Sequence, residues 1–324
     1  MQLAADYLQM LLRKIDRKLE IGLERALSYG KGIYPTYFTY EAVRYEVIEG
    51  KTNPVNGYPN VSVTGFAVKP LPLFLEAPSR MLKTMQDAGK AQKLYDAVKA
   101  SGIYDRRLKM YKTSEPLEDT SGEVGRLKAF TPGWLEREAI FLHMEYKYLY
   151  SILKAGLYEQ FYEDAKTMLV PFMVPAVYGR STLENTSFIA SSVNPDEAVH
   201  GRGYVARLTG TTAEALSIWF FMMAGNDVFT CRNGELSLEL KPILPGWLFD
   251  ADGRVIFRFL GKTLVTYNNT AELNTYGVNG VKPVKYILSA ATGETFEING
   301  PAIRGFHAEA VRAGNIERIV VSLE

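Results

Sequence analysis

The spacing of apolar side chains changes once along this chain, and that change limits its possible folds more than any other feature. Up to about residue 224, apolar residues recur in blocks at helical spacing; from Gly234 onward they alternate with polar neighbours. In ELSLELKPIL (235–244), Leu236, Leu238 and Leu240 fall on every second position. A period of two puts them on one face of a half-buried strand. RVIFRFLGKTLVTYNN continues as a strand pair around Gly261, and Asp252-Gly253, Asn279-Gly280 and Asn299-Gly300 are hairpin-type turns. The pattern predicts a helical body over 1–233 followed by an antiparallel β-sandwich over 234–324.

Within the body, helical spacing predicts helices at Ser79–Ala88, Ala91–Ser101, Trp134–Ala155, Tyr158–Met168 and Thr211–Ala224. Long loops rich in Gly, Pro and Ser join them. Residues 34–70 look extended and aromatic, with a turn at Asn56-Gly57, and form a strand-like insertion. The first thirty residues are an amphipathic helix whose stripe is Leu8, Leu11, Ile15, Leu19, Leu23 and Ala26, with Gly30 placed to end it. Such a stripe needs a partner. Nothing precedes it in the sequence, so the chain reads as beginning partway through a larger fold.

Composition narrows the function. At 324 residues the chain has room for two domains and a large core. Lys and Arg number 37 against 36 Asp and Glu, a net charge of +1, which leaves no footprint for nucleic acid or a membrane surface. An anionic ligand would therefore need a local site. The single cysteine, Cys231, cannot form an internal disulfide, has no metal-ligand spacing around it and reads as a buried structural thiol. The chain has no apolar run of about twenty residues, and a reducing, cytoplasmic setting is the default.

Two stretches carry chemistry. In TPGWLEREAIFLHM (131–144), the Thr-Pro-Gly opening predicts a helix start. Glu136 and His143, seven residues apart, then share one helical face among Trp134, Phe141, Tyr146 and Tyr148. In HGRGYVARLTGTTAEALSIW (200–219), Thr211 and Glu214 have the spacing of a capping box, so LTGTT feeds a helix N-terminus. Glycine there lets backbone approach a ligand, and the positive end of the helix favours an anion. Thr211 equally serves as a simple cap; the two roles are compatible.

Both stretches resemble motifs of inverting glycoside phosphorylases of the cellobiose phosphorylase type. The first is similar to their Pro-Gly-x-x-Glu-Asn motif followed by His. The second is similar to their Gly-Arg-Gly and Thr-Gly-(Ser/Thr) loop. YGRSTLENTSFIASS and KPILPGWLF resemble the branch that includes β-1,3-glucan phosphorylases. The resemblance implies the C-terminal part of an (α/α)6 barrel, a six-hairpin glycosidase-like fold, followed by the β-sandwich. It also implies cleavage of a β-glucosidic bond in an oligosaccharide or disaccharide by inorganic phosphate, with no other cofactor and no metal. His143, Thr209, Gly210 and Thr211 would hold phosphate, and Glu136, Arg137, Glu184 and Arg202 would face the sugar or its loops. Homodimers are common in that family.

Two departures qualify the resemblance. Arg137 stands where the family has asparagine and is either a phosphate-facing cation or a surface charge. No stretch matches the family's general-acid aspartate; Asp6 and Asp16 lie on a solvated helix. The chain thus reads as the phosphate half of a longer enzyme. A hydrolase on the same barrel and a non-catalytic sugar-binding remnant are the alternatives, and LTGTT beside His143 argues against the hydrolase. Among the remaining candidates, His200 and Asn185 either line the site or order their loops, His307 is structural, and Trp219 is helix core.

Overall fold

The computed structural model describes residues 5–206 and 209–324, with backbone alone at Glu123 and Thr209. The protein is mixed α and β, and among the described residues the helices form no closed barrel. The chain divides into two compact units, Met1–Glu214 and Ala215–Glu324. No described helix is long and apolar enough to cross a membrane.

In the first unit, α1 (Ala5–Tyr29) buries none of its residues. A hairpin follows, β1 (Phe38–Thr52) against β2 (Pro59–Pro70), closed by the turn at Asn56-Gly57. Its cross-strand pairs Tyr40–Val68, Ala42–Phe66 and Val47–Val61 are apolar and exposed. Next come α2 (Glu76–Thr84) and α3 (Ala88–Ala100). The Asp87 carboxylate accepts the Lys90 N–H at 2.9 Å and caps α3. Short strands β3 (Tyr104–Asp105), β4 (Met110–Tyr111) and β5 (Ile140–Phe141) precede α4 (Leu142–Lys154) and α5 (Tyr158–Met168). The unit continues through α6 (Pro175–Tyr178), β6 (Phe188–Ile189), β7 (Gly203–Tyr204) and the start of α7 (Thr209–Ala224).

Helix α4 starts eight residues later than the periodicity predicts. Gly133 (φ 74°), Leu135 (φ 51°) and Glu138 (φ 55°) are left-handed, which a continuous right-handed helix excludes. Glu136 therefore lies in a turn before the helix and shares no helical face with His143. The capping box is also corrected: α7 begins at Thr209, so Thr211 stands inside the first turn with its side chain fully buried.

The core of this unit forms around α4, where Leu142, Tyr146, Tyr148, Leu149, Ile152 and Leu153 are completely buried. Glu145 is buried with them. One carboxyl oxygen accepts the Tyr111 N–H at 2.8 Å, and the other has no partner among the described residues. A second buried junction ties α3, β4 and α5 together: Lys99 lies 2.8 Å from Asp164, and the Tyr111 hydroxyl donates to the other Asp164 oxygen at 2.8 Å.

The second unit contains the end of α7 and two sheets. Strands β8 (Phe229–Arg232) and β9 (Glu235–Leu238) belong to a three-stranded sheet. Strands β10 (Arg254–Phe259), β11 (Thr263–Asn268), β12 (Pro283–Ala290) and β13 (Thr295–Asn299) belong to a five-stranded one. The chain then forms β14 (Ile303–Arg304), α8 (Gly305–Ala313) and β15 (Ile316–Leu323). The sheet orders are β14-β9-β8 and β10-β11-β15-β12-β13. The expected purely antiparallel arrangement is corrected here. Helix α8 returns the chain so that β15 inserts between β11 and β12, parallel to β11. Cys231 is exposed rather than buried.

The division between units falls inside α7, nineteen residues before the change in periodicity at 233/234. The end of the helix packs with strands: Trp219 meets Phe257 edge-on at 5.8 Å, and the Tyr267 hydroxyl donates to the Met223 carbonyl at 2.6 Å.

Burial holds the Glu145 carboxyl well above its ordinary value of 4.5, which favours the protonated form in the folded protein. The stability this group permits is complete below its unfolded pKa and is lost as pH rises toward the raised folded pKa. Glu145→Gln, which mimics the protonated acid, should leave the fold intact. Urea denaturation should find it more stable than the parent at pH 8, with the gap closing near pH 4.5.

Candidate functional site

A small antiparallel sheet, β5-β6-β7, assembles the site. Phe141 pairs with Phe188 and Phe188 with Tyr204; Ile140 pairs with Ile189 and Ile189 with Gly203. Since β6 runs opposite to both neighbours, β5 and β7 run the same way. Strand β5 passes directly into α4, and β7 leads within five residues to α7. Two helix N-termini are thereby brought together. Ser187 clamps the arrangement: its carbonyl accepts the Leu142 N–H at 2.9 Å, and its hydroxyl donates to the Val205 carbonyl at 2.7 Å.

His143 is the second residue of α4 and Gly210 the second of α7. The imidazole lies directly against the glycine. A Cβ on Gly210 would stand 2.7 Å from His143 Cε1 and Nδ1. Only glycine leaves the ring where it is. The Thr211 hydroxyl, one residue on, is buried without a hydrogen-bond partner among the described residues. Arg207 and Leu208 lie outside the described residues, as does the Thr209 side chain, so its expected phosphate contact does too.

His143 Nε2 is 3.6 Å from Glu214 Oε1, too far for a hydrogen bond. Burial, followed by the nearby Lys147 cation, holds the imidazole below the ordinary histidine value of 6.5; Glu214 pulls it the other way. At neutral pH the ring is uncharged and offers one N–H donor and one acceptor. A cavity of about 350 Å³ is lined by Arg80 and Lys83 of α2, Lys147, Tyr150 and Ser151 of α4, and Glu214. Arg80 is held by Glu76 at 2.7 Å. Lys83 and Lys147 make no ion pair with a described residue. Histidine and glycine at two convergent helix N-termini suit a small oxyanion, and the cation-bearing cavity is linked to them through Glu214.

The other residues singled out from sequence go elsewhere. Glu136 accepts from Arg126 Nε at 3.1 Å, so the carboxylate near His143 is Glu214. Arg137 is neither a phosphate-facing cation nor a surface charge. Its guanidinium is turned inward, donating to the carbonyls of Lys128 (2.8 Å) and Phe130 (3.0 Å) and to Glu118 (2.7 Å). Glu184 lies 3.4 Å from Arg180, and Asn185 accepts the Tyr146 hydroxyl at 3.2 Å. Arg202 is exposed on its loop. His200 Nε2 donates to the Asn194 carbonyl at 2.8 Å and orders that loop. His307 sits on α8, 4.7 Å from the Phe296 ring.

Lys147 was within reach of sequence reasoning, since it lies one helical turn after His143. Ser187 carried no signal, because its role exists only once three distant strands pair. In ¹H–¹³C spectra the His143 ring should titrate below 6.5, higher in Lys147→Met and lower in Glu214→Gln. The neutral form favours the fold, so its contribution is present above 6.5 and lost as pH falls through the lowered pKa. Gly210→Ala should displace the ring resonances and cost about 1–3 kcal/mol in urea melts, the scale of overpacking.

No protein-family model matches the chain, and no curated protein sequence matches it. The feature that carries its chemistry is the apposition of His143 and Gly210 at two convergent helix N-termini.

Proposed function

We propose that this chain carries the phosphate-binding half of an inverting glycoside phosphorylase acting on a β-glucan oligosaccharide or disaccharide in a reducing, cytoplasmic setting. The observation that supports it is the His143 ring lying against Gly210 where α4 and α7 begin. In this reading the helices that follow α1 in the first unit are part of an (α/α)6 barrel, and the strands of the second correspond to its C-terminal β-sandwich.

The reaction accounts for the site's character. A phosphate oxygen attacks the anomeric carbon from the face opposite the glycosidic oxygen. The carbon–oxygen bond to the acceptor breaks, and the leaving oxygen takes a proton from a carboxylic acid. The products are a sugar 1-phosphate of inverted configuration and the shortened sugar. Phosphate is itself the nucleophile, so the enzyme needs an anion cradle in place of a water-activating carboxylate. No residue of this chain is assigned as the acid.

His143 would donate one hydrogen bond to the bound anion, and the N–H groups at the start of α7 would supply others. Binding would draw the imidazole toward its charged form, and Glu214 already favours that form. Lys147 offsets the repulsion between Glu214 and the incoming phosphate. Arg137 has no place at the phosphate, because its two terminal nitrogens are committed to the Lys128 and Phe130 carbonyls and to Glu118.

Phosphate binding to the full chain, followed by ³¹P NMR or calorimetry, tests this reading. His143→Ala should weaken it by about 1–3 kcal/mol, the scale of a lost charge-assisted hydrogen bond. Binding of a β-glucan oligosaccharide without phosphate should change little. A chain that binds no phosphate, or one that releases free sugar equally well without it, would overturn the proposal.

A further inference from the structure

We infer that α1 is a self-association element: it pairs side by side, in parallel, with the α1 of a second copy of this chain. The inference rests on α1 alone and is independent of the phosphorolysis reading. The helix runs for 25 residues with none buried, and its stripe lies open, with Leu8 48%, Ile15 47% and Leu19 60% exposed. An apolar seam of this length on a water-facing helix is a docking surface.

The charges beside the seam identify the occupant. At about 100° per residue, Leu8, Leu11, Leu12, Ile15, Leu19, Leu23 and Ala26 form the centre of the face. Lys14, Lys18 and Arg25 lie about 80–120° to one side, while Asp16 and Glu20 lie about 80–120° to the other. Arg13, Arg17 and Glu24 point away. The seam therefore has a basic flank and an acidic flank.

In a parallel pair, a two-fold axis along the helices brings the basic flank of each copy against the acidic flank of the other. Lys18 then stands level with the gap between Asp16 and Glu20 of the second copy, about 3 Å along the axis from each. Turning one helix around would set basic against basic and acidic against acidic, which is unfavourable. A lipid surface fits less well, since an anionic bilayer would meet Asp16 and Glu20 along with the lysines. In-register pairing stacks Leu8, Ile15 and Leu19 on their own counterparts and hides the apolar residues along some 37 Å of helix.

Sedimentation equilibrium of the full chain tests the proposal, with far-UV circular dichroism as the folding control. The parent should be a dimer at micromolar concentration. Ile15→Asp combined with Leu19→Asp, both at exposed positions, should raise the dimer Kd about a hundredfold or more. Lys18→Glu should weaken the dimer several-fold, and adding Asp16→Lys and Glu20→Lys should restore it by exchanging the two flanks. In a Cys231→Ser background, Leu8→Cys should cross-link two copies on oxidation. Antiparallel helices centred on the same seam would hold those thiols about 27 Å apart. A parent chain that stays monomeric, with or without affinity for phospholipid vesicles, overturns the inference. So does a dimer indifferent to the Ile15 and Leu19 changes, or a Leu8→Cys chain that fails to cross-link.

Discussion

Helix α4 carries tyrosines and a carboxyl into the interior, and neighbouring segments of the first unit meet the Tyr146 hydroxyl and one Glu145 oxygen there. The Tyr146 hydroxyl donates to Asn185 and accepts the Val170 N–H at 3.0 Å; Glu145 takes the Tyr111 N–H. Tyr148 is met by packing instead, its ring edge-on to Tyr111 at 4.7 Å. Each contact fixes the helix about its own axis, because a buried polar atom that loses its partner is costly. With the rotation fixed, the second residue of the helix can face only one way. That residue is His143.

The same burial separates the two carboxylates nearest the site in sequence. Glu145, two positions after His143, is sealed away, and desolvation favours its neutral form. Glu214 reaches the imidazole from α7 while still partly in contact with water. Two glutamates near one histidine thus differ by environment rather than by residue type, one desolvated in the core and one partly open to water.

Regular parts of the fold were legible in the sequence. Tyr158–Met168 is helical over the span its spacing predicts, and the alternation of Leu236 and Leu238 lies in β9. What was hidden has a common physical origin, in backbone set by long-range contacts. Leu135 and Glu138 adopt left-handed conformations that no local propensity favours, and they delay α4 past the Pro-Gly signal. The seven-residue spacing of Glu136 and His143 thus had no helix to act on. The parallel pairing of β11 with β15 depends on α8, whose nine residues interrupt a stretch that otherwise reads as strands and turns. Arg137 had two sequence readings, and the structure took a third, because three oxygens from the 118–130 segment surround its guanidinium.

The strands that align α4 with α7 are two residues long each. Ladders this brief add little cooperativity, and Ser187 closes the arrangement with a single bond from Leu142 on one side and its own N–H and hydroxyl bonds to the Tyr204–Val205 segment on the other. Local opening of this ribbon costs far less free energy than unfolding the α4 core, so the site belongs to a weaker cooperative unit than the helix supporting it. A ligand held between His143 and Gly210 would stitch the ribbon's two outgoing ends together and slow amide hydrogen exchange at Ser187 and Leu142 while leaving that of Leu149 and Ile152 unchanged. Part of the binding free energy would be spent on ordering, so measured affinity would understate the strength of the contacts.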